Sequence, residues 1–210
     1  LELIEEVDDP EEIERHRNAA IAAALRGADL TKSLLSFARQ SPLEPAIFDL
    51  NQTVREVKTW SSRLIPENID VEISLLAGLW RTKADPGLTQ NATLNLILNA
   101  RDAMANGGKM TIETSNVRID EEYNELRGED MEPGRYVMLA ISDTGEGIAK
   151  ENLERVFDPF FTTKPVGTGS GLGLSMVQGF LKQSGGTIRV YSEQNVGTTF
   201  KLYLKAISGK

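Results

Sequence analysis

The spacing of apolar residues changes period several times along this chain, and each change marks an element. Between about Pro10 and Gln40, Ile21, Ala24, Ala28, Thr31, Leu35 and Ala38 recur at intervals of three and four, the seam of one helix in a hairpin or bundle. Asp9 suits its cap and Pro10 its first turn, while residues 1–7 read as the end of an earlier helix. So long a helix with so narrow an apolar stripe is not stable alone and needs partners. The prolines of Ser41-Pro42-Leu43-Glu44-Pro45 stop the helix and stiffen a linker. Asp49, with Gln52 three residues on, predicts a capping box for a helix to about Leu64. Ile69–Leu75 alternates as a strand. Asp85-Pro86 opens a second helix, which runs to about Met104 and stops before Asn106-Gly107-Gly108. Lys109–Arg118 and Tyr136–Ser142 read as strands joined by an acidic loop. Gly171–Gln183 reads as a helix, and Gly186–Ser192 with Thr198–Lys205 as a hairpin turning near Gln194-Asn195. Helices and strands mix without strict βαβ alternation, which predicts an α+β chain: a two-layer α/β sandwich over residues 45–210, preceded by helical-hairpin segments over 1–44.

Composition narrows the function classes. The chain has 210 residues, 40% hydrophobic, with a formal net charge of −8. An acidic balance disfavours a nucleic-acid surface, which needs clustered Lys and Arg. With no cysteine and one histidine, disulfides and thiolate metal sites are excluded and a zinc site is not expected. No apolar run reaches the roughly 18 residues of a membrane span. The first residue is Leu1 rather than Met, in mid-pattern, so the expectation is a cytoplasmic piece of a longer protein whose membrane segment, if any, lies upstream.

The candidate chemistry gathers between Ile141 and Ser175. A strand ends in Asp143 and is followed by the turn Gly145-Glu146-Gly147. Further on, Gly167, Gly169, Gly171 and Gly173 stand at alternate positions and run into an apolar helix. Glycine lets backbone approach a ligand, and a glycine-rich loop opening a helix offers N–H groups to an anion. The pair suggests a nucleotide site, with a carboxylate for the base and a cradle for phosphate. It is not a P-loop, because Leu174 follows the last glycine, and the hairpin downstream does not suit a dinucleotide fingerprint. In the helix from Pro86, Asn91, Asn95 and Asn99 share a face, and Asp102 lies nearly on the same side. Leu94, Leu96, Ile97, Leu98 and Met104 make the rest of that helix apolar, so its polar stripe must meet something polar. A nucleotide with its magnesium meets that demand.

Five stretches carry a resemblance. Asn95–Met104 (NLILNARDAM), Asp143–Ile148 (DTGEGI), Phe157–Phe161 (FDPFF), Gly167–Leu174 (GTGSGLGL) and Gly197–Phe200 (GTTF) resemble, in order, the boxes of the ATP-binding domain of sensor histidine kinases. The wider class is the GHKL ATPases, with their Bergerat-type fold. The segment SLLSFARQSPLEP resembles the end of the dimerisation helices in the nitrogen-regulation subfamily. The resemblance implies that Asp143 accepts a hydrogen bond from the adenine amino group, with Thr198 in support and Gly145, Gly147 and Ile148 shaping the base pocket. It implies Mg2+ on Asn99, Asn95 near the phosphates, and Asp102 in the site. Gly167, Thr168, Gly169, Gly171, Leu172 and Gly173 form lid and cradle, to which Lys164 adds charge. Phe157 and Phe160 anchor the lid on the domain or serve the core alone, and Arg155 either reaches phosphate or forms a surface ion pair.

By the same resemblance Asn95 and Lys164 are the catalytic pair. Hydrolysing relatives carry a glutamate where Asn95 stands, and an amide is no general base, so transfer to a histidine imidazole suits the site better than hydrolysis. The implied partners are a response-regulator receiver domain and a second copy joined through the N-terminal helices. The sequence departs from the family at the acceptor: His16, in Arg15-His16-Arg17-Asn18, has the wrong context, so the acceptor is expected outside this chain. The alternatives are a GHKL protein-serine kinase or ATPase, or an ATP-binding interaction module without catalysis.

Overall fold

The computed structural model describes residues 43–127, 131–164 and 169–207, together with the helical residues Glu14, His16, Arg17, Ala20 and Ile21. The rest of the expected long helix, its cap at Asp9-Pro10 and the first two linker residues lie outside the described residues. So do Gly167 and Thr168.

After the linker the described elements are β1 (Ala46–Phe48), α1 (Leu50–Ser61), β2 (Ile69–Leu75), β3 (Thr82–Ala84), α2 (Pro86–Ala103), β4 (Gly108–Ile119), α3 (Glu121–Arg127), β5 (Gly134–Asp143), α4 (Gly173–Gln183), β6 (Thr187–Glu193) and β7 (Gly197–Lys205). Five strands form the main sheet in the order β2-β4-β5-β7-β6. The β2–β4 pair is parallel and the others are antiparallel. β1 and β3 make a small antiparallel pair, tied to the main sheet by Thr82 Oγ1, which donates to the Lys205 carbonyl at 2.8 Å.

Period-two alternation builds the core. Ile112, Ile141, Phe200 and Val190 stand in one cross-strand row. Against this face pack Val54 and Val57 of α1, Leu96, Ile97 and Ala100 of α2, and Val177 and Leu181 of α4. Each fully buried aliphatic side chain contributes about 1.5–3 kcal/mol, so the helices are held by this face rather than by propensity. On the opposite face α3 covers one corner, over Ile119, Met131, Tyr136 and Tyr203, the two tyrosines edge to face at 6.4 Å. Among the described residues no helix is long and apolar enough to cross a membrane.

The layers follow the sequence expectation, with corrections in the short elements. β1 and β3 were not expected, and the acidic loop holds α3. Asp49 caps α1 by accepting from the Asn51 N–H at 2.9 Å, but Gln52 does not complete a capping box; its amide donates to Glu56 instead. Asp85 accepts from the Leu88 N–H at 3.0 Å, with Pro86 in the first turn, which sets where α2 begins.

Candidate functional site

The core rows of the sheet become polar where the strands run out from beneath the helices. Along β5 the core-facing series Val137, Leu139, Ile141 continues to Asp143. Along β7, read backwards, Leu204, Leu202 and Phe200 continue to Thr198. Asp143 and Thr198 are cross-strand partners, so carboxylate and hydroxyl stand side by side, 8% and 4% exposed. They close one end of a cavity of about 300 Å³.

Burial pushes the Asp143 carboxyl above its ordinary pKa, and Glu146 adds to the rise; the backbone N–H groups of Gly145 and Thr198 oppose it. The Gly145 N–H reaches Asp143 Oδ1 at 2.9 Å, folding the chain into a turn held at both sides. Glu146 N–H donates to the Ala103 carbonyl at the end of α2 at 3.0 Å, and Asn195 N–H to the Glu146 carbonyl at 2.7 Å. Gly147 sits at φ +67, where a Cβ would come within 2.1 Å of the Glu193 carbonyl oxygen. Only glycine fits there.

α2 forms the second wall with Asn95, Leu98, Asn99, Asp102 and Ala103. Asn91 does not join them: it is exposed. Asp102 is already engaged. Its Oδ2 takes the Lys164 ammonium at 2.6 Å and its Oδ1 takes Arg101 Nη2 at 2.6 Å and Nε at 2.8 Å. Burial works to raise its pKa, but the hydrogen bonds and charges of Lys164 and Arg101 outweigh it and hold the carboxyl below its ordinary range. Lys164 therefore reaches the cavity tied to a carboxylate rather than free.

The third wall comes from the segment between β5 and α4. Val156, Phe161, Thr162, Thr163, Lys164, Gly169, Ser170, Gly171, Gly173 and Leu174 line it. Gly171 lies at φ +66, and a Cβ there would fall 2.4 Å from the Phe160 carbonyl carbon, while its own carbonyl accepts from the Phe160 N–H at 2.9 Å. This contact turns the backbone so that Phe160 adopts φ +67. Phe157 packs on the core as expected, whereas Phe160 is 61% exposed, against the expected anchoring role, and Phe161 forms cavity wall. Arg155 is not on the cavity; its guanidinium lies 4.5 Å over the Phe161 ring, with Asp158 at 4.0 Å. Leu172 is buried at 1% exposure behind the lining, and Gly145 shapes the turn without facing the cavity.

α4 begins at Gly173 with no side-chain cap, so its first N–H groups and positive dipole end are open to an anion. A Cβ at Gly173 would approach Asn95 Oδ1 to 3.2 Å, which brings the start of α4 against the asparagine face of α2. The cavity thus has an acceptor end at Asp143 and Thr198, apolar walls of Ile148, Val156, Phe161 and Leu174, and a donor end at Asn95, Asn99, Lys164 and the start of α4. Sequence reading missed Ser192, whose Oγ lies within 2.8 Å of both Thr198 Oγ1 and the Ile148 nitrogen. Its place in the core-facing series Ile188, Val190, Ser192 was the available signal.

Residues 84–207 match the family model described as "Histidine kinase-, DNA gyrase B-, and HSP90-like ATPase". Sensor kinase CckA of Brucella abortus is 42% identical over 181 residues, covering 86% of this chain and 19% of that protein. Sensor histidine kinase ZraS of Escherichia coli is 31% identical over 194 residues, covering 91% of this chain and 38% of that protein. The chain thus spans well under half of these relatives. Among solved structures, the catalytic domain of histidine kinase ThkA superposes with a TM-score of 0.61 at 30% identity, covering 78% of this chain and 96% of that one. ThkA in complex with response regulator protein TrrA gives a TM-score of 0.71 at 27% identity, covering 96% of this chain and 53% of that one.

Proposed function

Because the chain belongs to the histidine kinase-, DNA gyrase B-, and HSP90-like ATPase family, we propose that it is the ATP-binding catalytic part of a sensor histidine kinase. In this reading it directs the ATP γ-phosphoryl group to a histidine outside the chain, from which it passes to an aspartate of a response regulator. The observation that carries the reading is the polarity of one cavity. An acceptor pair, Asp143 and Thr198, faces a donor end built from α2 and the start of α4, with apolar side chains between. That sequence of surfaces matches amino-bearing base, flat ring and polyanion in turn, and about 300 Å³ lies within the range of small-ligand sites.

The roles follow from chemistry. Asp143 takes the adenine amino group as acceptor, and a carbonyl-bearing base meets an unpaired acceptor there. Ile148, Val156, Phe161 and Leu174 exclude water from the ring. The start of α4 and the glycine segment before it face the phosphates, and Lys164, paired with Asp102, is a positive charge of that end. Mg2+, when bound, neutralises phosphate charge, and the amide oxygen of Asn99 is the protein ligand we assign to it. Asn95 offers an amide where water activation needs a base, so the residues orient ATP for transfer and do not hydrolyse it. His16 remains unassigned as acceptor because of its flanking Arg15 and Arg17. We further propose a receiver domain as partner, by likeness to ThkA, which is seen in complex with response regulator protein TrrA. Pairing of two copies through the N-terminal helices and a cytoplasmic setting complete the reading.

A coupled assay of ADP release tests the choice between transferase and hydrolase. The chain alone with MgATP is expected to release no ADP above the buffer rate. Sustained release that Asn95→Ala abolishes would overturn the transferase reading in favour of an ATPase.

A further inference from the structure

Ser192 belongs to none of the five family-like stretches, yet its hydroxyl organises the acceptor end of the cavity. It is the cross-strand partner of Thr198. Its Oγ lies 2.8 Å from the Ile148 nitrogen, 2.9 Å from the Gly197 carbonyl oxygen and 2.8 Å from Thr198 Oγ1. Proton counting fixes the direction of all three bonds. An amide N–H only donates, a carbonyl only accepts, and a serine hydroxyl has one proton and two lone pairs. The Ser192 proton therefore goes to Gly197, and one lone pair takes the Ile148 N–H. The remaining lone pair takes the proton of Thr198. Thr198 Oγ1 is left with lone pairs alone to offer the cavity that it lines. Beside it stands the Asp143 carboxylate, which in its ionised form also only accepts.

We infer that Ser192 is a specificity-determining positioning residue: by fixing the direction of the Thr198 hydroxyl, it makes the base end of the cavity an all-acceptor surface. Such a surface selects a purine with an exocyclic amino group and rejects one with a carbonyl at that position. Among the described residues, a freely rotating Thr198 hydroxyl would offer a carbonyl base a side-chain donor beside Asp143, and Ser192 removes it. The same oxygen ties the Ile148 amide, and with it the Gly145–Ile148 turn, to the β6–β7 hairpin. Ser192 acts through these two neighbours. The inference rests on the reading of the cavity as an ATP site.

The test compares affinities for MgATP and MgITP, whose hypoxanthine carries a carbonyl in place of the amino group, measured by titration calorimetry. Ser192→Ala is expected to lower the ATP-to-ITP affinity ratio roughly tenfold, the scale of one directed hydrogen bond. Ser192→Thr keeps the oxygen and is expected to keep the wild-type ratio. In a Thr198→Val background, Ser192→Ala should leave the ratio unchanged, because the hydroxyl it acts through is gone. A second readout needs no nucleotide: hydrogen exchange at the Ile148 amide is expected to accelerate in Ser192→Ala and not in Ser192→Thr. If Ser192→Ala does not fold, Ser192→Cys decides, its weaker sulfur acceptor giving an intermediate ratio. A wild-type ratio in Ser192→Ala or Ser192→Cys, or an equal fall in the Thr198→Val background, would overturn the assignment of Ser192 alone. A wild-type chain that binds neither nucleotide would overturn the ATP reading itself.

Discussion

Asp143 is a carboxylate held where water scarcely reaches it, with burial as the main cause of its raised pKa. Because that pKa is higher in the folded chain than in the unfolded one, the ionised group opposes folding at neutral pH. The penalty fades as the pH falls through the raised value, where the folded state takes up its proton. Asp143→Asn removes the charge and keeps an acceptor for the Gly145 N–H. We expect this variant to melt no lower than the wild type at pH 7, its margin narrowing as the pH enters the carboxylate range. Its affinity for MgATP should fall about a hundredfold, as for a charged hydrogen-bond partner lost from a buried site. A variant that melts earlier at pH 7, or binds ATP like the wild type, would contradict this account of the residue. Asp143 was legible in the sequence because a strand end met a glycine turn there. The engagement of Asp102 by Lys164 was not, since the two residues are 62 apart in the chain and only tertiary folding brings them together. Ser192 was hidden for a similar reason: its role depends on strand register and on where a proton points.

At the scale of elements, the ion pair between Lys164 and Asp102 joins the segment before α4 to the end of α2. Both side chains are about 30% exposed, so the pair adds well under about 1 kcal/mol to stability; its importance lies in where it holds the charge. In the proposed reading, a phosphate at the donor end competes with Asp102 for Lys164. Lys164→Met is therefore expected to weaken MgATP binding about tenfold, the scale of a charge-assisted hydrogen bond. Asp102→Asn should tighten binding a few-fold, because it frees Lys164 and removes a negative charge near the phosphates. Both variants should unfold in denaturant close to the wild type. Weaker binding in Asp102→Asn would make Asp102 a direct nucleotide contact, as the sequence alone suggested. The long periodic elements β2, α2, β4, β5, β6 and β7 were legible within two residues at their ends, because alternation and caps mark them. β1 and β3 have three residues each and α3 has seven, too short to show a period.

At the scale of the molecule, one sheet face and three helices make the core, and the cavity opens where the polar ends of the core rows leave that cover. The α+β layering was legible from the order of periods; the strand order β2-β4-β5-β7-β6 was not, because pairing between distant strands leaves no local trace. The layering also explains how one cavity can carry opposite polarities: the sheet end supplies acceptors, and the ends of α2 and α4 supply amides and a dipole. The measurement that tests the central claim most directly is transfer from γ-labelled ATP with Mg2+. The chain is incubated alone and with a longer form of the protein that carries the preceding helix. The chain alone should stay unlabelled, and the longer form should gain a label that is lost in acid, kept in alkali and passed on to a receiver domain. Label on this chain alone that His16→Ala removes would contradict the placement of the acceptor. A longer form that binds MgATP and never becomes labelled would contradict the kinase reading itself.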